Sequence, residues 1–420
     1  MVSCYENIQL LKDRGLSMTT YNFDKITNRK GTNCLKYDFA VERGKPADVL
    51  PLWVADMDFP VSEEISKSLH AAVEHGIYGY TQPKDAYYNA VMNWMERNHN
   101  WKTEREWIVK TPGVVFALGA AVKAFTDPGD AILIQNPVYY PFTNIIRDND
   151  RRVIDNTLIY EKTTAQSGEN GYRIDFEDFE RKLEQEHIKL FILCNPHNPV
   201  GRVWTVEELQ KLGEICLRHH VIVVSDEIHN DFVYPGYEHT VFANVDPRFA
   251  EFTLTCTAPS KTFNLAGLQI SNIFIPNENL RKAFKTEIDR TGYDEPNALG
   301  VVACEAAYRA GEDWLEQLRA YLLKNLNFLR DFLQEKIPQI HLVEPEGTYL
   351  VWLDCSELGI TGKELDQFIV DKAGLWLDGG SMFGPSGAAF QRVNIACPQA
   401  TLELALNKLK AAVEGYGNHL

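Results

Sequence analysis

The sequence lacks any apolar run that approaches the ~20 residues of a membrane-spanning helix. It is also poor in positive charge, since 42 lysines and arginines stand against 58 aspartates and glutamates and leave a net charge of −16. Such a chain offers no broad positive field for a phosphate backbone, although a small local anion site is compatible with it. We therefore expect neither a membrane nor a nucleic acid as partner, and we look for a small-molecule ligand.

The 420 residues also contain no CxxC pair, and the eight cysteines are scattered along the chain. This spacing indicates neither a zinc site nor a redox pair, so we predict buried free thiols in a reducing cytoplasm and no bound metal. Residues 1–17 contain no signal-peptide core and are expected to form an extension of unknown role, with a misplaced start as the alternative. With 45% hydrophobic and 24% charged residues, the chain has the composition of a globular protein of two or three units.

The middle of the chain alternates strand-like and helix-like segments. Short apolar runs rich in β-branched residues predict strands at 131–135, 190–194, 221–226, 252–257 and 270–275. Thr205 and Glu208 predict a capping box for a helix that reaches about Arg218, and Ser62 predicts the start of a helix toward His75. Strands that alternate with helices imply an α/β fold with a mainly parallel sheet, whose ligand site lies at the carboxyl ends of the strands.

The pattern changes after about residue 300. It predicts, in order, a long helix, one extended strand, a further helix and a closing helix, at 298–335, 341–354, 361–373 and from about residue 400. These elements indicate a smaller α+β unit, which the extended N-terminal segment is expected to join. We predict a large domain over residues 62–300 and a discontinuous small domain formed by residues 18–61 and 301–420.

Five segments carry the reactive side chains, and most of them fall at or beside predicted strand ends: TPGVV (111–115), CNPHNPVGR (194–202), SDEIH (225–229), APSKTFNLAGLQ (258–269) and FQRVNIACP (390–398). Together they supply an amine, a carboxylate, an amide, a glycine at a helix start and an arginine. That set suits a phosphorylated, nitrogen-containing cofactor that stores electrons, because backbone N–H groups at a helix start bind phosphate.

Five motifs in a fixed order carry a family resemblance that spans about residues 20–415: PLWVADMDFP, HGIYGYTQP, NPHNPVGRVWT, SDEIHNDFVY and APSKTFNLAGLQ. The chain resembles the fold-type I pyridoxal 5'-phosphate (PLP) enzymes of the class I/II aminotransferase superfamily, and within it the MalY/PatB branch of cystathionine β-lyases. The resemblance implies PLP as cofactor and a PLP-dependent transferase-like fold. That fold has a large domain with a mainly parallel seven-stranded sheet and a smaller α+β domain. It also implies a homodimer with shared active sites.

The resemblance assigns the main cofactor contacts to three residues. Lys261 is the expected Schiff-base lysine, and apolar neighbours would disfavour its charged form. Asp226 is expected to face the pyridine nitrogen, and Asn198 the phenolic oxygen. Taken singly, each has an ordinary alternative, namely a surface lysine, a capping aspartate and an Asx turn. The order of the motifs favours the functional roles.

The resemblance also implies where the phosphate binds. Backbone N–H groups at a helix start are expected to hold it, those of Gly113, Val114 and Val115. Ser260 would add a hydroxyl, whereas the usual phosphate arginine of the superfamily is replaced by Gln269, which implies fewer positive charges there. Tyr80 or Tyr78 is expected to supply a hydroxyl from the neighbouring subunit, and the alternative is a packed aromatic ring.

The remaining site residues are expected to hold the cofactor ring and the substrate. Tyr139 resembles the aromatic residue that stacks on the pyridine ring, while Tyr140 is expected to pack nearby. His229 stands where typical aminotransferases carry a tyrosine, and its contact with the cofactor is left open. Arg392 resembles the arginine that clamps the substrate α-carboxylate, and Ala55 the residue whose backbone N–H meets the same group; a surface salt bridge is the alternative for Arg392.

The resemblance to the lyase branch implies a C–S β-lyase of the cystathionine β-lyase type. It would eliminate a thiol from L-cystathionine or a related cysteine S-conjugate and leave pyruvate and ammonia. The same side chains would serve a class I/II aminotransferase, so the choice depends on the resemblance. A regulatory binding protein that retains the PLP fold is a third reading, which the complete set of Lys261, Asp226, Asn198 and Arg392 disfavours. The preferred sulfur amino acid is not determined by the sequence.

Overall fold

The computed structural model describes residues 19–163 and 169–417, and the predicted extension over residues 1–17 lies outside them. The strands are β1 (Leu50–Pro51), β2 (Ile108–Thr111), β3 (Ala131–Ile134), β4 (Arg152–Asp155), β5 (Ile159–Tyr160), β6 (Tyr172–Arg173), β7 (Leu190–Cys194), β8 (Ile222–Asp226), β9 (Thr253–Thr257), β10 (Ser271–Phe274), β11 (His341–Val343), β12 (Leu350–Asp354), β13 (Leu375–Trp376), β14 (Asp378–Gly379) and β15 (Phe390–Asn394). The α-helices are α1 (Leu35–Asp38), α2 (Glu63–His75), α3 (Asp85–His99), α4 (Val114–Phe125), α5 (Pro141–Asp148), α6 (Phe176–Glu186), α7 (Val206–Arg218), α8 (Phe242–Val245), α9 (Pro259–Thr262), α10 (Glu278–Arg290), α11 (Ala298–Ala310), α12 (Glu312–Lys336), α13 (Gly362–Asp371) and α14 (Gln399–Gly417).

A sheet of seven strands forms the centre of the molecule, in the order β2-β10-β9-β8-β7-β3-β4. Neighbouring strands from β9 to β4 are parallel, whereas β10 runs antiparallel to both β9 and β2. The predicted α/β fold with a mainly parallel seven-stranded sheet is therefore confirmed. The apolar runs predict the five inner strands but not β2 and β4, which lie at the two edges and contain charged residues.

Helices cover both faces of this sheet. One face packs apolar strand residues such as Ile132 and Ile192 against α4, α5 and α10. The other face packs Leu133 and Phe191 against α6 and α7. Because successive strand residues point to opposite faces, a strand covered on both sides is apolar throughout, which explains the continuous apolar runs in the sequence.

Local sequence sets several helix ends. The Ser62 hydroxyl accepts a hydrogen bond from the Ile65 N–H over 3.3 Å, and Thr205 and Glu208 form the predicted capping box of α7. The long helical stretch predicted over roughly 298–335 is confirmed in its extent, but it consists of two helices, α11 and α12, which are separated at Gly311. A Cβ at Gly311 would collide with the ring of Phe263, so the glycine permits a close approach there.

The C-terminal part of the chain forms a four-stranded antiparallel sheet in the order β11-β12-β15-β14. The single strand predicted over 341–354 is wrong, since β11 and β12 are two antiparallel strands joined by a turn that contains Thr348 at φ 69°. Strand β1 pairs in parallel with β13 and so ties the N-terminal segment to this part. The domain boundaries near residues 62 and 300 stay a prediction. In the described ranges, no helix combines the length and apolar character needed to cross a bilayer.

Candidate active site

The carboxyl ends of neighbouring parallel strands bring the predicted site residues together. Asp226 ends β8, and the segments after β7 and β9 carry Asn198 and Lys261. A cavity of about 170 Å³ opens at this edge of the sheet. Its walls include most of the predicted site residues: Ala55, Gly113, Val114, Val115, Tyr139, Asn198, Asp226, His229, Ser260 and Lys261. Arg392 and Tyr80 are not among the residues that line it.

Lys261 lies in the single turn α9, directly after β9. Its Nζ donates a hydrogen bond to the carbonyl oxygen of Ala55 over 2.8 Å. Burial, the largest cause, and the charge of Arg392 lower the pKa of Lys261 to about 8, against the opposing effects of Asp56 and Asp226. A substantial fraction of the amine is therefore neutral near physiological pH, and the neutral form is the one that attacks a carbonyl carbon.

Asp226 places a carboxylate on the floor of the cavity, almost fully buried. Its Oδ1 accepts a hydrogen bond from the Ile228 N–H over 3.2 Å. Burial raises the pKa of Asp226 to about 7, and the Ile228 N–H and the charge of Lys261 offset this rise only in part. A buried carboxylate gains most from a cationic partner, and a protonated pyridine nitrogen is such a partner.

Tyr139 and His229 form part of the wall. Burial raises the pKa of Tyr139 above its usual range, so the phenol keeps its proton. Burial and the charges of Lys261 and Arg392 push the pKa of His229 well below its usual range, so the imidazole is neutral. Among the described residues, His229 Nδ1 has no hydrogen-bond partner, and a bound ligand can satisfy such a buried polar atom.

Arg392 lies in β15 beside this cavity and is 2% exposed. Its Nη1 donates to Asn198 Oδ1 over 3.2 Å, and its Nη2 donates to the carbonyl oxygen of Trp53 over 2.8 Å. Nη2 also pairs with the carboxylate of Asp378. Arg392 therefore does not form the surface salt bridge of the alternative reading, and it touches the predicted cofactor ligand Asn198.

The start of α4 forms one side of the cavity. Gly113 is the residue before the helix, and α4 begins at Val114. A Cβ built on Gly113 would meet no atom within 4 Å, so the glycine faces open space next to unpaired N–H groups of a helix start. Ser260 lies on the same wall, whereas Gln269 does not line the cavity.

The position of Ala55 depends on side chains distant in sequence. Asn264 receives a hydrogen bond from the Met57 N–H over 2.9 Å, and Asn394 donates to the carbonyl oxygens of Val54 and Asp56. These amides fix the turn so that the Ala55 carbonyl oxygen meets Lys261.

Sequence reasoning missed three residues that support the site. The hydroxyl of Tyr349 donates to the Ala55 carbonyl oxygen over 3.0 Å, and Asp378 pairs with Arg392. Asp231 accepts hydrogen bonds from three donors, one of them the hydroxyl of Thr262, the neighbour of Lys261. Asp231 lies five residues after Asp226, within the motif SDEIHNDFVY. No sequence pattern indicated Tyr349 or Asp378.

Tyr80 is 96% exposed and lies outside the cavity of its own chain. Tyr78 is 59% exposed in the same segment, so neither ring is packed within its own chain. Tyr140 packs as expected, with its ring 6.0 Å from that of Phe383. The role of Tyr80 across a subunit interface stays a prediction.

The residues around the cavity match the chemical groups of PLP. A partly neutral amine can bind its aldehyde, a buried carboxylate its ring nitrogen, and a helix start its phosphate. The unpaired His229 nitrogen and the open space beside Gly113 are the features that a bound ligand would fill. The donor set of this cavity therefore fits the cofactor.

Comparisons with known proteins agree with this geometry. The family model for aminotransferase class I and II matches residues 47–409. Cystathionine beta-lyase PatB of Bacillus subtilis (strain 168) is 46% identical over 392 residues, which cover 93% of this chain and all of that protein, 100%.

Solved structures are similar over nearly the whole chain. Cystalysin from Treponema denticola, which contains PLP, has a TM-score of 0.90 and 38% identity, and the match covers 94% of this chain and 100% of that one. The PLP-bound C–S lyase from Staphylococcus hominis has a TM-score of 0.86 and 35% identity, with 94% and 98% covered. The chain therefore belongs to the aminotransferase class I and II family and has the fold of its PLP-dependent members.

Proposed function

We propose that the protein is a PLP-dependent C–S β-lyase. It releases a thiol from L-cystathionine or a related cysteine S-conjugate, and hydrolysis of the remaining aminoacrylate by one water gives pyruvate and ammonia. The relatives named above as cystathionine beta-lyase and C–S lyase support this reaction over the broader family chemistry. The amine of Lys261, with a pKa of about 8, lies in one cavity with the buried carboxylate of Asp226 and supports PLP chemistry. The observation that carries the choice of elimination over transamination is the similarity over nearly the whole chain to these lyases.

PLP, when bound, supplies an electron sink for the negative charge that develops at the substrate Cα. Asp226 would hold the ring nitrogen in its protonated form, and Asn198 and His229 would contact the phenolic side. The helix start at Gly113 and the hydroxyl of Ser260 would hold the phosphate. These roles are supported by the position of each group on the cavity wall.

Arg392 would bind the substrate α-carboxylate and so fix the direction of the Cα–H bond. Lys261 would then accept the Cα proton at Nζ, because its lowered pKa leaves a neutral amine ready to receive it. The same ammonium can return the proton to the leaving sulfur. Tyr139, with its partly buried ring on the wall, would help to exclude water from the reacting atoms.

The test uses purified holoenzyme with L-cystathionine or an S-alkyl cysteine and no keto acid. We expect stoichiometric release of pyruvate, ammonia and thiol. An aminotransferase would instead need a keto acid acceptor, so formation of glutamate from 2-oxoglutarate without thiol release would reject the lyase. A preparation that stays colourless after addition of PLP would favour the regulatory binding protein.

We also propose a homodimer in which Tyr80 reaches the site of the partner subunit. Three large apolar or aromatic side chains in one surface segment support it: Ile77, Tyr78 and Tyr80, with exposed fractions of 72%, 59% and 96%. Sedimentation should give a dimer, and Tyr80→Phe should weaken PLP affinity while the dimer persists. A fully active monomer would contradict this assembly.

We infer that the enzyme works in the cytoplasm. The described cysteines are all free thiols, most of them buried, which suits a reducing compartment. Cell fractionation tests the location, and recovery of the activity outside the cytoplasm would reject it.

A further inference from the structure

Arg392 already faces a carboxylate, that of Asp378. The two residues are direct cross-strand partners in β14 and β15, and their side chains are 3% and 4% exposed. The guanidinium also donates to Trp53 and Asn198 and lies over the ring of Phe383, 5.0 Å from its centre. Arg392 is therefore held from several sides, and Asp378 is the contact that carries the opposite charge.

The surroundings of Asp378 make its charge costly. Burial raises the pKa of Asp378, and the charge of Asp366 on α13 adds to this rise, while the pairing with Arg392 acts against it. On the other side, Tyr139 and Tyr140 lie close enough for the Asp378 charge to raise their pKa values. Asp378 and Asp366 line a second cleft of about 210 Å³, and Arg43 and Lys45 lie in the walls of the same cleft. Among the described residues, Arg392 is the cation paired with Asp378.

A substrate carboxylate that binds Arg392 would create two anions beside one buried cation. The excess negative charge would be buried away from water, which is unfavourable unless one of the two carboxylates is protonated. A carboxyl group with a raised pKa can take up a proton more readily than an ordinary one. By linkage, a ligand that favours the protonated form is itself bound more tightly when that proton is present.

We propose that Asp378 is a positioning residue that orients Arg392 and competes with the substrate α-carboxylate for it, so that carboxylate binding and protonation of Asp378 favour each other. The inference rests on the proposed function in one respect, the assignment of Arg392 to the α-carboxylate. Asp378 thereby keeps the guanidinium in place in the absence of substrate and limits how strongly other anions bind.

Propionate is a suitable probe, because it has a carboxylate and no amine and cannot react with the cofactor. Its dissociation constant from the holoenzyme is measured by calorimetry between about pH 6 and about pH 9, where propionate stays ionised. The wild type should bind propionate more tightly as the pH falls. Asp378→Asn should bind it at least about fivefold more tightly at the upper end of that range, with a weaker dependence on pH.

Asp366→Asn is the matched control, since Asp366 lines the same cleft and accepts a hydrogen bond from Gln391 instead of Arg392. The charge of Asp366 also raises the pKa of Asp378, but it is the smallest of the causes that act on that group. Asp366→Asn should change the propionate constant by less than about twofold. Asp378→Glu keeps the charge and should stay near the wild-type constant. If Asp378→Asn does not fold, Asp378→Ser takes its place, because proton uptake by the wild type alone could also arise near Lys261, whose pKa the charge of Arg392 lowers. Proton uptake is measured from the binding heat in buffers of different ionisation enthalpy, and the variant should take up fewer protons than the wild type.

Unchanged or weaker propionate binding by Asp378→Asn, with the pH dependence of the wild type, would overturn the inference. So would the absence of proton uptake by the wild type. A fall in turnover alone would not support it, because a structural role predicts that as well. If the wild type cleaves no thioether but passes the propionate tests, the proposed reaction fails and the inference stands.

Discussion

The neutral fraction of Lys261 sets how fast the apoprotein can capture PLP, because only the neutral amine attacks the aldehyde. With a pKa of about 8, half of the amine is neutral at that pH. A lysine at the ordinary value of 10.5 would be neutral to only about 0.3% there, a difference on the order of 100-fold. We therefore expect the capture rate to rise with pH and to reach its midpoint near 8.

Two charges near the amine should move that midpoint in opposite directions. Arg392 lowers the pKa of Lys261, so Arg392→Gln should shift the midpoint to higher pH. Asp226 raises that pKa, so Asp226→Asn should shift it to lower pH. Asp246 pairs with Arg248 on the surface, and Asp246→Asn serves as the control that should leave the midpoint unchanged.

The assay mixes apoprotein with PLP in a stopped-flow instrument and follows the visible absorbance of the bound cofactor. Borohydride then fixes the cofactor, and peptide mass spectrometry locates the label at residue 261. A midpoint near 10.5 would refute the argument, since burial would then not have perturbed the amine. Shifts of the same sign in Arg392→Gln and Asp226→Asn would refute the assignment of the two charges.

Three further predictions concern the chemistry and the stability of the chain. Lys261→Ala should lose thiol release while its circular dichroism and melting temperature stay near wild type; cleavage at the wild-type rate would exclude Lys261 as the catalytic amine. Asp231 is 2% exposed and accepts three hydrogen bonds, so Asp231→Asn should lower the free energy of unfolding in urea by about 3 kcal/mol, and a loss below about 0.5 kcal/mol would contradict this network. Ser62→Ala removes the cap of α2 and should cost about 1 kcal/mol in the same assay, whereas no measurable change would mean that another group caps the helix.

The elements that sequence predicts well are those whose signal is local. The five inner strands are almost entirely buried because both faces are covered, so apolar and β-branched residues dominate them. The caps at Ser62 and Thr205 need only a few neighbouring residues. The edge strands β2 and β4 escaped prediction, because one side of each is unpaired within the sheet and charged residues are accepted there.

The division of the long helical stretch and that of the single predicted strand both depend on tertiary contacts. Helical periodicity continues through Gly311, but the ring of Phe263 approaches the backbone there and the helix divides. The run from His341 to Asp354 is extended at both ends, but the chain turns at Thr348 so that β12 can pair with β15. Gly311, Pro345 and Gly347 are local signals at these two places, but only the tertiary contacts show that the elements are divided there.

The residues around the cavity could be predicted from the sequence only in part. Asp226 and Lys261 could be placed together from sequence, because parallel strands end at the same edge of a sheet. Asp378 could not be connected with Arg392, since their contact depends on the register of two short strands. Tyr349 likewise meets the Ala55 carbonyl oxygen from a position 294 residues away.

The amino-acid order alone determined the class of fold, the reactive side chains and the order in which they occur, since these follow from apolar periodicity and from motifs a few residues long. Only the folded chain decided which groups share one desolvated space. The perturbed pKa values of Lys261 and Asp226 and the pairing of Arg392 with Asp378 arise from burial and from distances between distant segments. Burial and separation in space are properties that no linear pattern contains.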